Sequence, residues 1–400
     1  MKKFLLTLLG LVAILLAAFL IFAPAEFEKQ TNMVDGKPLP EIRAEAQKLH
    51  DSLMIIDLHG DTLLWKRKIT DSVDRGHIDL DRMEAGNVGL QVFSSVTKTP
   101  KGQNYDSNSG DTDNITLLAI TQLQPMRTWF SLLERQLYHA QKLDKAVAVS
   151  GGRLASISEP EDLDRLDKSI GVLFSAEGLQ TLEGDRANLK KLYASGMRMA
   201  GMVHFFDNEL AGSMHGIEKG GLTDFGRTIV RDMETMGMIV DIAHSSHATV
   251  ADILKMAKRP VVSSHGGVQA VCGVNRNLTD TEIKGVAATG GVIGLGYWDG
   301  AMCDTDPATV AKAAKHVRDL VGIDYVALGG DFDGAVTTRF DTSGIVQITQ
   351  ALMDAGFNEA EIRAVMGLNA LRVIKAGLVP MPDTNAPAKS GNDARTSEAG

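Results

Sequence analysis

Six short apolar runs in this chain end in a residue able to ligate a metal or carry a proton. The first leads into His59-Gly-Asp61, another into Glu177, and the next into His204. Three later runs lead into His244, His265 and Asp331. Imidazole and carboxylate together are the ligand set of zinc and similar divalent metals. In an extended segment alternate side chains share a side, so His59 and Asp61 can bind one ion together. His244 and His265 follow neighbouring runs and can hold a second ion, while Glu177, with two oxygens, can bridge the pair. Two Zn²⁺ ions offset by Asp61, Glu177 and a bridging hydroxide leave a modestly positive centre. With ions roughly 3.5 Å apart, such a centre makes a nucleophile from water and polarises a carbonyl, so amide or ester hydrolysis is the natural reaction class.

Each residue alone has a quieter explanation. An isolated H-x-D is a weak signal, His244 can be a core histidine, and Glu177 can cap a helix. His244-Ser-Ser-His247 imitates a helical ligand pair but lies in a turn just past a strand, so His247 is expected to be a non-ligand. The same is expected of His50, His77, His139 and His316. Joint placement distinguishes the others, and placement depends on the fold. The runs lie at 54–57, 88–94, 170–175, 197–203, 238–243, 260–264, 291–296 and 325–329. Segments of helical period separate them, including 188–195, 223–236, 249–258, 307–321 and 359–374. Alternating strands and helices predict parallel βαβ units. Eight strands predict a closed (β/α)8 TIM-like barrel, in which every strand C-terminus opens on one face. Thr223 is a natural helix N-cap, and Gly196 and Gly237 are placed as C-cap glycines.

Composition narrows the function class. The 400 residues suit one such barrel, and 44% hydrophobic content supports a large core. A net charge of −9 with pI near 5.6 argues against a nucleic-acid partner. Cys272 and Cys303 are too few for a disulfide scaffold and lack CxxC spacing. At the N-terminus, Lys2 and Lys3 precede an uncharged apolar run from Phe4 to Phe22 and then Ala23-Pro24-Ala25. This has the plan of a secretory signal, yet its 19 residues are also long enough to span a bilayer. Either way the positive-inside rule puts the remainder outside the cytoplasm. The expected location is the periplasm, or a tether to the outer face of the inner membrane through residues 4–22. The expected organisation is a signal peptide or anchor over 1–25, a linker over 26–44, the barrel over 45–378 and a disordered tail over 379–400.

Seven ordered motifs now support a resemblance: IDLHGD (56–61), SAEG (175–178), HFFDNELAGSMHG (204–216), DIAHSS (241–246), SSHGGVQAVCGVNRNLTD (263–280), LGGDFDG (328–334) and GLNALRV (367–373). With them the chain resembles the membrane (renal) dipeptidase family, the M19 metallopeptidases, and its bacterial branch most closely. The resemblance covers roughly residues 45–378. It implies a barrel of the metal-dependent hydrolase type and hydrolysis of dipeptides, L,D-dipeptides included, by a metal-bridging hydroxide. It implies two Zn²⁺ per subunit, with His59 and Asp61 on one ion, His244 and His265 on the other, and Glu177 across both. His204 would contact the scissile carbonyl, and Arg276 would pair with the substrate carboxylate as a guanidinium fork does. Asp331 would shuttle the proton from water to the leaving amine, and Asp333 is its decoy. Cys272 and Cys303 match positions disulfide-linked in mammalian members.

One departure concerns the substrate end. The mammalian enzymes have an aromatic hydroxyl near the position of Gly300, for which Tyr297 or Trp298 is a candidate substitute. The polar loop from Thr99 to Asn114 is expected to lie over the site. An alternative function is a related binuclear barrel hydrolase acting on N-acyl amino acids or lactones. A homodimer is left open, and a non-catalytic binding protein is disfavoured because every metal position is present.

Overall fold

The structure, a computed structural model, describes residues 1–379, so the tail expected over 379–400 lies, but for Val379, outside the described residues. The eight expected strands are β1 (Ile55–Gly60), β2 (Val88–Phe93), β3 (Ile170–Ala176), β4 (Met197–Gly201), β5 (Ile239–Asp241), β6 (Val262–Ser263), β7 (Val292–Leu295) and β8 (Val326–Leu328). They pair in parallel in chain order, and both the β8–β1 and β2–β3 pairings are present, so the sheet closes on itself. A short strand, Leu154–Ser156, adds to the start of β3.

Two apolar layers hold the barrel together. Ile56, Leu58, Leu90, Val92, Leu173, Met199, Ile239, Val262, Val292 and Ala327 form one cluster, one or two residues from each strand. Such a set fills the barrel interior, as layered side chains do in this architecture. Ala370, Val373, Ile374 and Leu378 from the last helix join the cluster. Gly367, in the turn before that helix, lets its backbone press on the carbonyl of Met54 ahead of β1. The last helix thereby covers the N-terminal end of the barrel. Residues 359–374, read as one helix, are two helices joined by a π turn at Ala364–Leu368. The second layer lies between strands and outer helices. Helix Asp224–Met236 is typical: its N-cap Thr223 accepts from the amide of Gly226, and Gly237 ends it with a left-handed φ of 75°.

The N-terminus differs from its compositional reading. One helix runs from Lys2 to Thr31, through Ala23-Pro24-Ala25 and into the stretch read as a linker. Glu28 is buried there, paired with Arg67 and, at 3.0 Å, with Arg75. Met33–Val34 then pairs in parallel with Thr337–Thr338. Composition alone suggested a linker because this stretch has few apolar residues. Its docking is polar, and the arginines that complete it lie about 40 residues away.

Candidate metal centre

The side chains at the strand ends converge on one carboxylate. Glu177 Oε1 lies 2.8 Å from His244 Nε2, 3.2 Å from His265 Nε2 and 3.5 Å from His59 Nε2. Its other oxygen, Oε2, lies 3.3 Å from His204 Nε2. His59 Nε2 is also 3.5 Å from Asp61 and 3.9 Å from Asp331. Three overlapping groups can therefore each surround an ion: His59–Glu177–His265, Glu177–His204–His244 and His59–Asp61–Asp331. All seven side chains are buried.

Local backbone and outer hydrogen bonds aim these groups. Along β1 the ladder with β2 slips between Asp57 and Gly60, the stretch that carries His59. Asp57 is buried beneath it and accepts from the His59 and Gly330 amides and from the Tyr297 hydroxyl. Behind His265, the Ser264 hydroxyl accepts from Nδ1 at 2.9 Å and donates to Asp241 at 2.5 Å. That fixes the imidazole tautomer and points Nε2 inward, as outer partners do for metal-binding histidines. His244 and Asp331 have left-handed φ values of 63° and 55°. Such backbone is uncommon for residues other than glycine and concentrates at functional sites.

The residues fit a cation. His244 Nε2 and His265 Nε2 face one another at 3.0 Å, an arrangement that two neutral imidazole lone pairs do not favour. His59 Nε2 and Asp61 Oδ1 are buried without a hydrogen-bond partner. Burial pushes His244, His265 and His204 well below the ordinary imidazole pKa and so keeps them neutral, the form that ligates. Burial also raises Glu177 well above the carboxylate range and Asp331 to about 7, with Asp61 adding to both. At His59 burial opposes protonation, but Asp61 and Glu177 outweigh it and raise the pKa to about 10. Burial and the crowding of carboxylates thus both oppose ionisation of Glu177 and Asp331, and divalent ions among them would favour it.

The other expected residues separate cleanly. Arg276 is buried over the Trp298 ring at 4.8 Å, with Nε and Nη2 unpartnered, and both it and Asp331 line the cavity of about 630 Å³ above the centre. Asp333 faces elsewhere: it accepts from Thr62, the amide of His77 and Arg67. His247 pairs with Glu282 at 2.6 Å, away from the cluster, though it opens a helix rather than sitting in a turn. His50, His77, His139 and His316 bond to Thr349, Met33, Ser95 and Asp280. Cys272 and Cys303 form a disulfide with Cα atoms 5.5 Å apart. Asn277 bonds to the carbonyls of Cys272 and Ala301 beside it, so the Arg276 loop is tied on both sides.

Two residues near the site, Tyr105 and His215, were not anticipated, and Tyr297 does not take the place expected of it. Tyr297 is not free to face the cavity, because its hydroxyl is buried on Asp57. Tyr105, from the polar loop expected over the site, lines the cavity instead, and its hydroxyl accepts from Trp298 Nε1 at 3.3 Å. A Cβ at Gly300 would stand 2.6 Å from that hydroxyl, so glycine leaves the room that Tyr105 occupies. His215 packs on Phe205 with ring centroids 4.6 Å apart and lies 5.2 Å from His244. Burial lowers its pKa to about 3, and its Nδ1 bonds to the Tyr105 carbonyl. Only its place in HFFDNELAGSMHG hinted at a role, since no strand ends there.

Comparison with known proteins agrees with this architecture. Residues 43–379 match the model of the membrane dipeptidase family, peptidase family M19. Dipeptidase verJ of Clonostachys rogersoniana is 29% identical over 348 residues, covering 83% of this chain and 86% of that protein. Among solved structures, the probable dipeptidase PvdM of Pseudomonas aeruginosa superposes with a TM-score of 0.70 at 19% identity, covering 84% of this chain and 98% of that one. A metallopeptidase of Rhodobacter sphaeroides, solved with a phosphinate mimic of the dipeptide L-Ala-D-Ala, gives 0.67 at 20% identity over 81% of this chain and 99% of that one. At these identities the two structures speak for the fold, while the match along nearly the whole barrel shows the lineage. The chain belongs to the membrane dipeptidase family, peptidase family M19, and is a metallo-dipeptidase.

Proposed function

We propose that the chain hydrolyses dipeptides, L,D-dipeptides among them, with two Zn²⁺ per subunit. His59 and Asp61 would hold one ion and His244 and His265 the other, with Glu177 across both. The observation that carries this is the single buried carboxylate of Glu177, within 3.5 Å of the Nε2 atoms of four histidines. Bound there, the metals supply activated water and a Lewis acid for the scissile carbonyl. The remaining tasks fall to the protein. Asp331, at the cavity wall, takes a proton from the water and returns it to the amine nitrogen as the C–N bond breaks. His204 donates to the carbonyl oxygen as charge builds on it. Arg276 receives the terminal carboxylate, and Tyr105 stands close enough to that end of the cavity to add a hydroxyl.

On this reading the chain works outside the cytoplasm, either in the periplasm or tethered to the outer face of the inner membrane through residues 4–22. Support comes from an N-terminal helix long and apolar enough to span a bilayer, together with a disulfide of the kind found in oxidising compartments. The test is to titrate metal-free full-length protein with Zn²⁺ and assay dipeptides, N-acyl amino acids and lactones in parallel. Dipeptide turnover that saturates at two equivalents is expected. Turnover of lactones but not dipeptides, or dipeptide turnover insensitive to chelator, would overturn the proposal.

A further inference from the structure

The helix that contains the membrane-spanning run also forms part of the catalytic cavity. Phe19, Pro24 and Phe27 line the same cavity as Asp61, Glu177 and Asp331. Phe27 packs against Trp65 in a tilted pair with ring centroids 6.0 Å apart, and Lys66 donates to the carbonyl of Leu20. Below this contact, Glu28 is fixed by Arg67 and Arg75, and the Asn32 side chain accepts from the amide of Ala335 at 2.8 Å. The helix is therefore rigidly joined to the barrel just where its apolar run ends. From Phe4 to Phe22 that run spans about 28 Å at 1.5 Å per residue, close to the thickness of a hydrocarbon core. Phe19 is three residues from its end, about 5 Å along the axis. A wall residue of the cavity thus lies within the last turn of the span.

A second observation concerns the adjoining wall. Helix Asn114–Thr121 packs on the N-terminal helix, and its Leu117 lines the cavity while remaining 65% exposed. The chain that continues from it exposes Leu123, Met126 and Phe130, the last at 84%. Large apolar side chains this bare are unfavourable against water, and grouped exposure of this kind marks an interaction surface. The occupant follows from continuity: the patch adjoins a helix whose apolar window has no buried residue, and the two helices pack on one another. A bilayer that accepts the helix must meet the patch.

We infer that the N-terminal helix is retained as an anchor and that, with the 117–130 surface dipping into the lipid interface, it holds the mouth of the catalytic cavity against the membrane. The enzyme thereby favours substrates carrying a large apolar side chain, which collect at that interface and pass along Phe19, Phe27 and Leu117. The substrate part of this inference rests on the dipeptidase function proposed above; the membrane part does not.

The experiment uses the full-length chain in phosphatidylcholine liposomes with brominated acyl chains. Phe130→Trp and, separately, Met126→Trp are expected to add tryptophan emission that the bromines quench, beyond that of the parent. Absence of added quenching in both variants would overturn the docked surface, and a cross-link between copies through this patch would assign it to a second chain instead. Mass analysis should find residues 1–25 present; a chain beginning at Glu26 would overturn retention. Phe19→Ser should lower kcat/KM for leucyl-leucine about tenfold and leave alanyl-alanine within about twofold. An equal loss on both substrates would overturn the apolar route. No turnover of either by the parent would mark failure of the dipeptidase proposal, with the quenching result still standing.

Discussion

Arg276→Met isolates the recognition of the substrate carboxylate. Arg276 is buried, lies 4.8 Å over the Trp298 ring, and leaves Nε and Nη2 without partners in the protein. Those two nitrogens form a fork of the right shape for a carboxylate. Methionine keeps an aliphatic side chain of similar length but removes the guanidinium, and with it both the fork and the stacking on the indole, so the comparison of substrates is what separates carboxylate binding from lost packing. Truncating one partner of a buried charged pair costs about 2–5 kcal/mol. At 1.36 kcal/mol per decade, that is about a 30- to 5,000-fold loss in kcat/KM for a dipeptide. The informative comparison adds the dipeptide amide, which lacks the carboxylate. Wild-type enzyme should lose a similar factor on the amide, whereas Arg276→Met should treat acid and amide nearly alike. In this cycle of two enzymes and two substrates, the coupling energy belongs to the guanidinium–carboxylate pair. Tyr105→Phe should show the same preference at smaller size, about tenfold, as befits one hydrogen bond to a charged group. A cycle without coupling, in which Arg276→Met slows acid and amide equally, would refute this role for Arg276.

The two aspartates of GGDFDG should part company on mutation. Asp331→Asn is expected to keep both metals, by elemental analysis, while kcat falls about 10²- to 10⁴-fold; equal loss of metal would make Asp331 a ligand first. Asp333→Asn should keep both metals and lower kcat per folded molecule far less than Asp331→Asn does, but destabilise the protein by about 3–5 kcal/mol, because the buried Arg67 loses an anionic partner; an unchanged melting temperature would contradict this. Lys142 tests linkage. It is half-buried, donates to the carbonyl of Leu63 at 2.6 Å, and desolvation lowers its pKa from 10.5 to about 7, with Arg67 adding to the effect and Glu28 opposing it. Between those values the unfolded chain binds a proton that the folded chain lacks, so stability from this group rises with pH and its penalty is complete below pH 7. Lys142→Met should flatten the rise between pH 7 and 9 in urea unfolding, by at most about 1.4 kcal/mol per pH unit. Parallel profiles for parent and variant would show that Lys142 stays charged when folded.

Legibility in the sequence followed the range of the interactions involved. All eight strands could be read because each is a short apolar run bounded by turn residues, a local signal. The convergence of His59, Glu177, His204, His244, His265 and Asp331 could also be read, because closing a parallel barrel places every strand end on one face. Glu28 could not be placed, since nothing nearby signals that a carboxylate in a polar stretch will meet Arg67 and Arg75. Tyr105 was hidden for a related reason: it lies in a loop rich in Gly, Asn and Asp, and the match between its hydroxyl and the bare Cα of Gly300 spans nearly 200 residues. The proposed substitutes, Tyr297 and Trp298, were closer in sequence to Gly300, but proximity along the chain did not decide the contact.

The turn after β8 explains why the N-terminal helix and the cavity belong to one mechanical unit. Asp331 and Asp333 both have left-handed backbone, with φ of 55° and 65°, and the fully buried Phe332 between them keeps the turn from slipping. One carboxylate faces the cavity, and the other is held by Arg67, whose remaining partners include Glu28 of the N-terminal helix. The Asp333 amide accepts no freedom either, since it donates to His77 Nδ1 at 3.0 Å. A displacement of the helix therefore reaches Asp331 through two buried ion pairs and one rigid turn. The polar stretch after the apolar run is better understood as a clamp on the turn that bears Asp331 than as a spacer.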